Sequence, residues 1–368
     1  MNQPYPTFKP VGHNEALKSF LKAWEHDKLH HAWLFCGQKS IGKAGVAHYL
    51  ARFILSEKLP QKAKDANQNA LFSLDEVANI TKELTLDKLD VPLDTPEIQQ
   101  YFASSNPNFI YIARQADEKT GKLKAAIGVD AIRQMNRQLA VTRKEGYRVI
   151  IVDSIDEMNI NAANAILKTL EEPPKNTIFF LISHNPNKLL PTITSRCRKL
   201  HFSPLNQDDM QRLMEKEEVT LNTEDKQITL WLANGSIGRA LQLSSEKEQG
   251  AWQEILEFFG QLNTNNLSKI PTFCRQYAKV SSGEEEQKFT LFIDIWMRLI
   301  QAGCLNAAEA KQAIPNKIEE LLSKKSQKPL DEWLQLWDKT IRISKQLLSG
   351  DIDRTAGLNQ LFLALSNL

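Results

Sequence analysis

The sequence predicts an α/β domain built on a parallel sheet, followed by an all-helical region. Over the first two hundred residues, short apolar runs alternate with helical patterns, which is typical of parallel α/β folds. The runs are almost continuously apolar, as expected for strands that are covered on both faces. They are 32-AWLFC-36, 109-FIYI-112, 149-VIIVD-153, 178-IFFLIS-183 and 199-KLHF-202. From about residue 251 onward, the apolar positions repeat at helical spacing.

Helices are predicted between and after these runs. The ranges 43–55, 130–141 and 161–171 carry apolar residues three or four positions apart. The last range stops before Pro173–Pro174, through which a helix cannot continue. Two helices of the C-terminal region each present an apolar face to a core. The positions on these faces are Phe289, Phe292, Ile293, Trp296, Leu299 and Ile300 in one helix, and Trp333, Leu336 or Trp337, Ile341 and Leu347 in the other.

The composition is that of an ordinary soluble protein and excludes several classes. The net charge is only +2, from 46 basic and 44 acidic residues, so the protein has no overall electrostatic attraction to nucleic acid or to a membrane. The N-terminus lacks the pattern of a signal peptide, and the most apolar stretch, 289–300, is too short and too charged for a membrane span. The four cysteines lie far apart, which predicts free thiols in a reducing cytoplasm.

The run 37-GQKSIGKA-44 fits the G-x-x-x-x-G-K pattern of a phosphate-binding loop, between a predicted strand and a predicted helix. Gly37 and Gly42 allow backbone N–H groups to face one concavity, where Lys43 reaches the outer phosphates. The next position normally carries the Ser or Thr hydroxyl that binds Mg²⁺, but here it is Ala44. The run therefore predicts the fold of a nucleotide-binding protein without a working nucleotide site.

The second half of such a site is an apolar strand that ends in acidic residues. The run 149–153 supplies Asp153, but Ser154 follows where a carboxylate would polarise the attacking water. A hydroxyl is a poor general base at neutral pH. Asp156 and Glu157 come next, either as a replacement for the missing carboxylate or, on the simpler interpretation, as a solvated acidic turn.

The segment from Asp153 to Leu205 resembles the clamp-loader branch of the AAA+ family. It contains NAANAILKTLEEPP and LLPTITSRC, which are close to family signatures. The stretches 29-LHHAWLFCGQKSIGK-43 and 127-IGVDAIRQMNRQL-139 match the same family in the same order. The resemblance covers about residues 1–245 well and the remainder in general helical character. It implies a RecA-like AAA+ parallel-sheet domain over 1–203, a small helical lid over 204–248 and an all-helical collar domain over 249–368.

The polar segment 56–105 is predicted to be an insertion on the sheet domain. Many relatives carry a four-cysteine zinc module just after the phosphate-loop helix, but this chain has no cysteine between Cys36 and Cys197. We therefore expect plain helices in the insertion and no metal. His30 and His31 are expected to pack or hydrogen-bond at the start of the first strand.

Within this family, the gamma/tau-type subunits of the bacterial DNA polymerase III clamp loader bind ATP, whereas the delta-prime type lacks a working site. Ala44 and Ser154 point to the delta-prime type. So does 235-GSIGRA-240, in which Gly238 occupies the position of a nucleotide-contacting arginine and Arg239 follows one place later. The resemblance implies that the chain has no cofactor of its own and that neighbouring subunits bind ATP and Mg²⁺.

The run Ser195-Arg196-Cys197 matches the SRC element of the family. There the arginine enters the ATP site of the neighbouring subunit as a finger, and its guanidinium neutralises charge that develops on the γ-phosphate. The resemblance implies this role for Arg196, with Ser195 beside it. The alternative is an ordinary surface charge before a strand. Cys197 is expected to be a packed residue, because no nearby His or acid marks it as a nucleophile.

Two basic residues match positions from which the family's active subunits face the template backbone. They are Arg133, after 127-IGVD-130, and Lys168, in AILKTLEE. Such contacts would be made to phosphates and would not depend on base sequence. The alternative for each residue is an exposed helix charge.

On this resemblance, the chain is expected to be a non-catalytic stator subunit of a clamp loader in DNA replication. It would donate an arginine finger in trans while the complex loads the sliding clamp on primed DNA. The implied partners are gamma/tau-type and delta-type subunits, primed DNA and the sliding clamp, and not a membrane. One alternative is a catalytically competent gamma/tau-type ATPase. A generic P-loop kinase or transferase is a weaker alternative, since it has no use for an SRC finger or a helical collar.

Overall fold

A computed structural model describes residues 5–6, 8–57, 85–116, 123–141, 146–262, 267–279, 283–310, 313–323 and 329–366. The chain divides into two compact units, Met1–Asp209 and Met210–Leu368. No helix within these described ranges is both long enough and apolar enough to cross a membrane.

The described residues of the first unit include five strands in one sheet, which confirms the predicted parallel α/β fold. They are β1 (Ala32–Cys36), β2 (Phe109–Ile112), β3 (Arg148–Val152), β4 (Thr177–Ser183) and β5 (Arg198–His201). All pairings are parallel, in the order β2-β3-β4-β1-β5. The last three strands in the chain begin one residue earlier than predicted. Asp153 therefore lies just beyond the end of β3.

Six helices are described in this unit, the first before β1 and the other five between strands along the chain. They are α1 (Asn14–Glu25), α2 (Lys43–Ser56), α3 (Pro96–Phe102), α4 (Val129–Val141), α5 (Ile160–Glu171) and α6 (Pro191–Thr194), with 3-10 turns at Leu86–Leu89, Ile155–Glu157 and Pro186–Lys188. The sequence sets both ends of α5. The side-chain oxygen of Asn159 accepts a hydrogen bond from the Ala162 N–H at 2.8 Å, which caps the first turn. Pro173–Pro174 prevents the helix from continuing.

The sheet lies between two helical layers. Alternate side chains of each strand point to opposite faces, so Trp33 and Phe35 pack in the core that includes α1 and α2. Leu34 and Phe179 pack in the core that includes α4 and α5. These four side chains are fully buried, and each large apolar side chain buried in this way contributes about 1.5–3 kcal/mol. Burial on both faces is the reason for the nearly continuous apolar runs.

The topology brings three connections to one edge of the sheet. Strand β4 lies between β1 and β3, and Cys36 at the end of β1 is paired with Ser183 at the end of β4. Because the strands are parallel, the segments that follow β1, β3 and β4 all leave from this carboxyl edge. Open α/β sheets bind ligands at such an edge, where the strand order reverses.

The remaining helices follow in the order α7 (Gln207–Lys216), α8 (Thr223–Ala233), α9 (Ile237–Leu243), α10 (Glu246–Gln261), α11 (Ile270–Ala278), α12 (Gly283–Ala307), α13 (Asn316–Ser323), α14 (Leu330–Ser349) and α15 (Arg354–Ser366). A 3-10 turn, Leu267–Lys269, precedes α11. All six predicted apolar positions of α12 are fully buried, among them Phe292 and Trp296. The predicted helical character of the C-terminal region is confirmed.

Helix α14 packs against α12 through a glycine. A Cβ atom on Gly303 would lie 2.1 Å from the ring of Trp333, so only glycine allows the tryptophan to pack there. Trp333, Leu336 and Leu347 are buried as predicted. The prediction for Ile341 was wrong, because this side chain is 40% exposed and lies away from the core.

The predicted divisions within the chain stay predictions. These are the domain boundary after residue 203 and the separation of a lid (204–248) from a collar (249–368). Of the predicted insertion 56–105, residues 58–84 lie outside the described residues. Its later part contains the turn Leu86–Leu89 and helix α3.

Candidate functional site

The backbone explains why glycine occupies both of the predicted loop positions. The loop runs from the end of β1 to the start of α2. A Cβ atom on Gly37 would lie 2.5 Å from the carbonyl oxygen of Phe202, which follows β5. Gly42 immediately precedes α2 with a φ of 103°, a value that side-chain-bearing residues rarely adopt. The local backbone therefore requires glycine at both positions.

Lys43 is held by its own loop. Its side chain is buried, and its Nζ donates hydrogen bonds to the carbonyl oxygens of Gly37 at 2.6 Å and Gln38 at 2.5 Å. Burial lowers the pKa of Lys43 to about 8, and the nearby carboxylates of Asp156 and Asp153 oppose this shift. The ammonium group is therefore bound to two carbonyl oxygens of its own loop.

Ala44 occupies the loop position that normally carries the Mg²⁺-binding hydroxyl. Ala44 has no side-chain oxygen, and its side chain packs against the apolar core beside α2.

Two rings of the N-terminal segment lie beside the start of α2. His13 Nε2 is hydrogen-bonded to the carbonyl oxygen of Ile41 at 2.7 Å, and Phe8 lies 3.8 Å from the position of a Cβ on Gly45. The sequence pattern did not indicate the contact of His13, since it depends on how the N-terminal segment folds back.

Asp153 and Ser154 are bound to different neighbours at the carboxyl edge. Asp153 Oδ2 accepts a hydrogen bond from the hydroxyl of Tyr111 at 2.9 Å. Ser154 has a left-handed backbone with a φ of 64°, and its Oγ lies 2.9 Å from Nε2 of His184. Burial lowers the pKa of His184, and the positive charge of Lys43 lowers it further. A neutral imidazole beside a hydroxyl is a hydrogen-bonding pair and does not replace the missing carboxylate.

The two acidic residues that follow are also engaged. Asp156 Oδ1 accepts a hydrogen bond from the backbone N–H of His184 at 3.0 Å. Glu157 Oε2 forms an ion pair with Nε of Arg114 at 2.6 Å, and both side chains are partly buried. Each carboxylate thus fixes a neighbouring segment, which favours a structural role over replacement of the missing catalytic acid.

Arg196 lies on the surface of the first unit, two residues before the start of β5. Its Nη1 donates a hydrogen bond to the carbonyl oxygen of Thr192 at 2.8 Å and approaches Ser195 Oγ at 3.3 Å. Its Nη2 forms an ion pair with Oε1 of Glu171 at 2.7 Å. The side chain remains 33% exposed. The guanidinium is therefore oriented by its own chain and still has a solvent-facing part.

The neighbours of Arg196 in the SRC element differ in burial. Ser195 is exposed, and its hydroxyl donates a hydrogen bond to the carbonyl oxygen of Thr192 at 3.2 Å. Cys197 packs against the core beside α5, and burial raises the pKa of its thiol to about 12. A thiol with this pKa is protonated at neutral pH, in agreement with the expectation that Cys197 is a packed residue.

The structure brings Arg133 and Lys168 onto neighbouring helices. Arg133, on α4, lines a cleft of about 560 Å³ together with Asn161 and Asn164 of α5. Lys168 is exposed one helical turn after Asn164, on the same face of α5. The side chain of Arg133 is 68% exposed and lies 3.5 Å from Asp130. The two predicted residues thus belong to one polar surface of the first unit.

Arg239, next to the predicted position of a nucleotide-contacting arginine, has a partner within the second unit. Its Nη1 forms an ion pair with Oδ2 of Asp294 at 2.9 Å, which joins α9 to α12. Ser236 caps α9 by accepting a hydrogen bond from the N–H of Arg239. This side chain therefore links two helices of its own unit.

The histidines before β1 do not suggest a metal site. His30 Nδ1 lies 2.8 Å from the carbonyl oxygen of Ala32, and His31 Nε2 lies 2.9 Å from that of Leu170. The two rings stack with centroids 4.3 Å apart. The prediction that they pack and hydrogen-bond at the strand entry is confirmed. Within the part of the chain that the structure describes, no group of three or more His, Cys, Asp or Glu side chains is arranged to hold a metal ion.

A parallel sheet of this order with a G-x-x-x-x-G-K loop after β1 defines a P-loop fold. A sequence profile described as "DNA polymerase III, delta subunit" matches residues 12–206, more than half of the 368 residues. The chain belongs to this family, the clamp-loader subunits of DNA polymerase III.

Individual relatives include both subunit types. The tau subunit of DNA polymerase III from Bacillus subtilis is 28% identical over 257 residues, which are 65% of this chain and 38% of that protein. The delta' subunit from Escherichia coli is 28% identical over 240 residues, 65% of this chain and 60% of that protein. The delta' subunit from Pseudomonas aeruginosa is 31% identical over 168 residues, 45% of this chain and 41% of that protein. The chain thus spans less than two thirds of the length of these relatives.

Proposed function

We propose that the chain is a delta-prime-type stator of the DNA polymerase III clamp loader. It binds no ATP productively and donates Arg196 in trans to the ATP site of a neighbouring gamma/tau-type subunit. The observation that carries this proposal is the contrast between Arg196, oriented on the surface and partly exposed, and a loop that lacks the groups for its own chemistry. A guanidinium held in this way can reach a γ-phosphate across an interface.

Four features support the absence of ATP hydrolysis by this chain. Ala44 removes the hydroxyl that binds Mg²⁺, and Ser154 removes the carboxylate that orients water. Lys43 donates to the carbonyls of its own loop. Arg239 is paired with Asp294. On this proposal Mg²⁺ and ATP are bound by the neighbouring subunits, and this chain has no cofactor or metal of its own.

The alternative function is a catalytically competent gamma/tau-type ATPase. It is favoured by the similarity to the tau subunit of Bacillus subtilis, which is as high as that to the delta' subunit of Escherichia coli. It requires this chain to bind Mg²⁺ without a hydroxyl at position 44. The residues at the carboxyl edge therefore favour the stator.

The proposal also assigns partners and a location. Within the cytoplasm, the chain would assemble with gamma/tau-type and delta-type subunits into a hetero-oligomer that loads the sliding clamp on primed DNA. The polar surface with Arg133 and Lys168 would face the phosphate backbone of that DNA. Contacts of this kind weaken as salt rises and do not depend on base sequence.

The first prediction separates the stator from the competent ATPase. We expect calorimetric titration of the isolated chain with Mg·ATP to give no saturable binding in the micromolar range, and a phosphate-release assay to give no turnover. The physical reason is that position 44 has no hydroxyl to bind Mg²⁺, the ion that neutralises the charge of the β- and γ-phosphates. Micromolar affinity with steady turnover would instead establish the competent ATPase.

A further inference from the structure

The contacts of Arg196 differ in how firmly they fix its guanidinium. Thr192 and Ser195 belong to the same short turn as Arg196 itself, so their bonds move with that turn. Glu171 is different, because it belongs to α5 and reaches Arg196 across the fold, with Oε1 2.7 Å from Nη2. Of the contacts that the structure describes for Arg196, this one ties the guanidinium to a separate element.

Helix α5 is a rigid support for such a contact. Ile166 and Leu170, the residue directly before Glu171, are buried in the core between α5 and the sheet. Asn159 caps the start of the helix, and Thr169 Oγ1 donates a hydrogen bond to Oδ1 of Asn136 on α4 at 2.8 Å. A carboxylate at the end of this helix therefore has a fixed position relative to the sheet.

The position of Glu171 is electrostatically unfavourable for the helix alone. It is the last residue of α5, where the helix macrodipole places negative partial charge and favours a cation. Its carboxylate gains a partner in Arg196, so the pair relieves a repulsion that the helix end would otherwise carry. Glu172, the exposed residue that follows, has the same charge but is not among the partners described for Arg196.

We infer that Glu171 is a positioning residue for the arginine finger. This inference rests on the proposed function of Arg196. An arginine side chain has several rotatable bonds, and immobilising it at the moment of reaction is costly. Glu171 holds the guanidinium of Arg196 against α6 before the two subunits assemble. The arginine side chain therefore loses less rotamer freedom in the transition state.

The test is the DNA- and clamp-stimulated ATPase of the assembled loader that contains Glu171→Gln. We expect kcat at the site completed by Arg196 to fall about threefold to tenfold. The KM for ATP should stay unchanged, because the finger acts on the transition state and not on ground-state binding. Glu172→Gln is the matched control, since it removes the same charge one residue away, and it should leave the rate unchanged.

A double variant shows whether Glu171 acts through Arg196. In the Arg196→Ala loader, adding Glu171→Gln should have no further effect, whereas a general structural role would add its own loss. Thermal unfolding and assembly of Glu171→Gln should match those of the unaltered chain, because an ion pair this exposed contributes little to stability.

The outcomes separate this inference from the proposed function. A slow Arg196→Ala loader together with an unchanged Glu171→Gln loader would overturn the positioning role and leave the finger in place. A higher ATPase rate of the Glu171→Gln loader would mean that Glu171 restrains the finger. Failure of this variant to assemble would mean that Glu171 has a structural role. Both results would contradict the inference. If the Arg196→Ala loader hydrolysed ATP at the normal rate, Arg196 would not act as a finger. Glu171 would then have no finger to position.

Discussion

Two basic side chains of the first unit, Lys43 and Arg196, differ in their surroundings. Lys43 is buried and bonded to fixed carbonyls of its own loop, so moving it would leave those carbonyls without this partner. Arg196 is partly exposed and is paired with a carboxylate that is itself half exposed. Exposed pairs of this kind are worth about 0–1 kcal/mol and leave part of the guanidinium facing solvent, where a phosphate can reach it while Glu171 orients it. Of the two cations, Arg196 is therefore the one that a neighbouring subunit can recruit.

His48 gives the first unit a defined response to acid. It is buried on α2, with Nδ1 2.5 Å from the hydroxyl of Tyr101. Burial, together with the positive charge of Arg52, lowers the pKa of His48 to about 3. An unfolded histidine titrates near pH 6.5. Between these values the unfolded chain binds a proton that the folded chain does not, so stability falls as the pH is lowered from about 6.5 toward 3.

We predict that His48→Gln flattens this acid response. The amide side chain does not titrate, so the variant should lose less stability on acidification, by up to about 1.4 kcal/mol per pH unit below pH 6.5. Urea unfolding at pH 7, 6 and 5 measures the difference. His26→Gln, which removes an exposed histidine, is the matched control. If the free energy of unfolding of His48→Gln fell as steeply between pH 7 and pH 5 as that of the unaltered chain, His48 would not be the source of the pH dependence.

At the scale of single residues, the sequence predicted what depends on local pattern. The roles of Gly37 and Gly42 in the loop could be predicted from the sequence pattern. The absence of a hydroxyl at Ala44 and of a carboxylate at Ser154 can also be read directly from the sequence. The pairing of Arg196 with Glu171 was not predictable, because it joins residues that are distant in sequence and meet only after α5 and α6 have packed.

At the scale of elements, the central strands β1, β3 and β4 were predictable because burial on both faces leaves an almost continuously apolar run. Helix α14 was harder. Its core face includes Trp333 and Leu347, but a second set of apolar residues lies at intervals of seven. These are Leu334, Ile341 and Leu348, which are 44%, 40% and 52% exposed. Helical periodicity alone does not tell which of two apolar faces lies in the core, and Ile341 was therefore assigned to the wrong one.

The exposed residues of α14 carry a prediction about assembly. Leu334, Ile341 and Leu348 are spaced by seven and form one exposed apolar row along α14, called the seam below, which on the proposed function packs against a helix of another subunit. On the proposed function, Ile341→Glu should weaken assembly with gamma/tau-type subunits at least tenfold, because a charge would be buried in the seam. Size-exclusion chromatography of the mixed subunits measures this.

Gln335→Glu is the matched control for Ile341→Glu. It adds the same charge to the same helix at an exposed polar position outside the seam. Unchanged circular dichroism of both variants would show that folding is retained, as expected because Ile341 lies away from the core of α14. If the Ile341→Glu chain assembled normally, the seam would not be the contact surface.

At the scale of the whole molecule, the family is established over residues 12–206, whereas the work of the chain within a complex is a proposal. The first unit has a parallel sheet with a G-x-x-x-x-G-K loop after β1, and it carries Ala44 and Ser154 where that pattern places the Mg²⁺-binding hydroxyl and the water-orienting carboxylate. The second unit is helical and has the apolar seam on α14. On the proposed function, such a subunit contributes its fold and the guanidinium of Arg196 to the neighbouring subunit.

The most direct measurement is the steady-state ATPase of a reconstituted loader containing Arg196→Ala. The loader should assemble normally but hydrolyse ATP more slowly in the presence of clamp and primed DNA. Finger arginines contribute about 10³–10⁵ in rate at the site that they complete, and the bulk loss is smaller when other sites remain intact. Arg196→Lys should not restore the rate, because an ammonium lacks the planar fork of guanidinium. Lys188→Ala, which removes an exposed cation elsewhere on the same unit, should leave the rate unchanged. A normal rate for the assembled Arg196→Ala loader would contradict the account, as would failure of the variant to assemble.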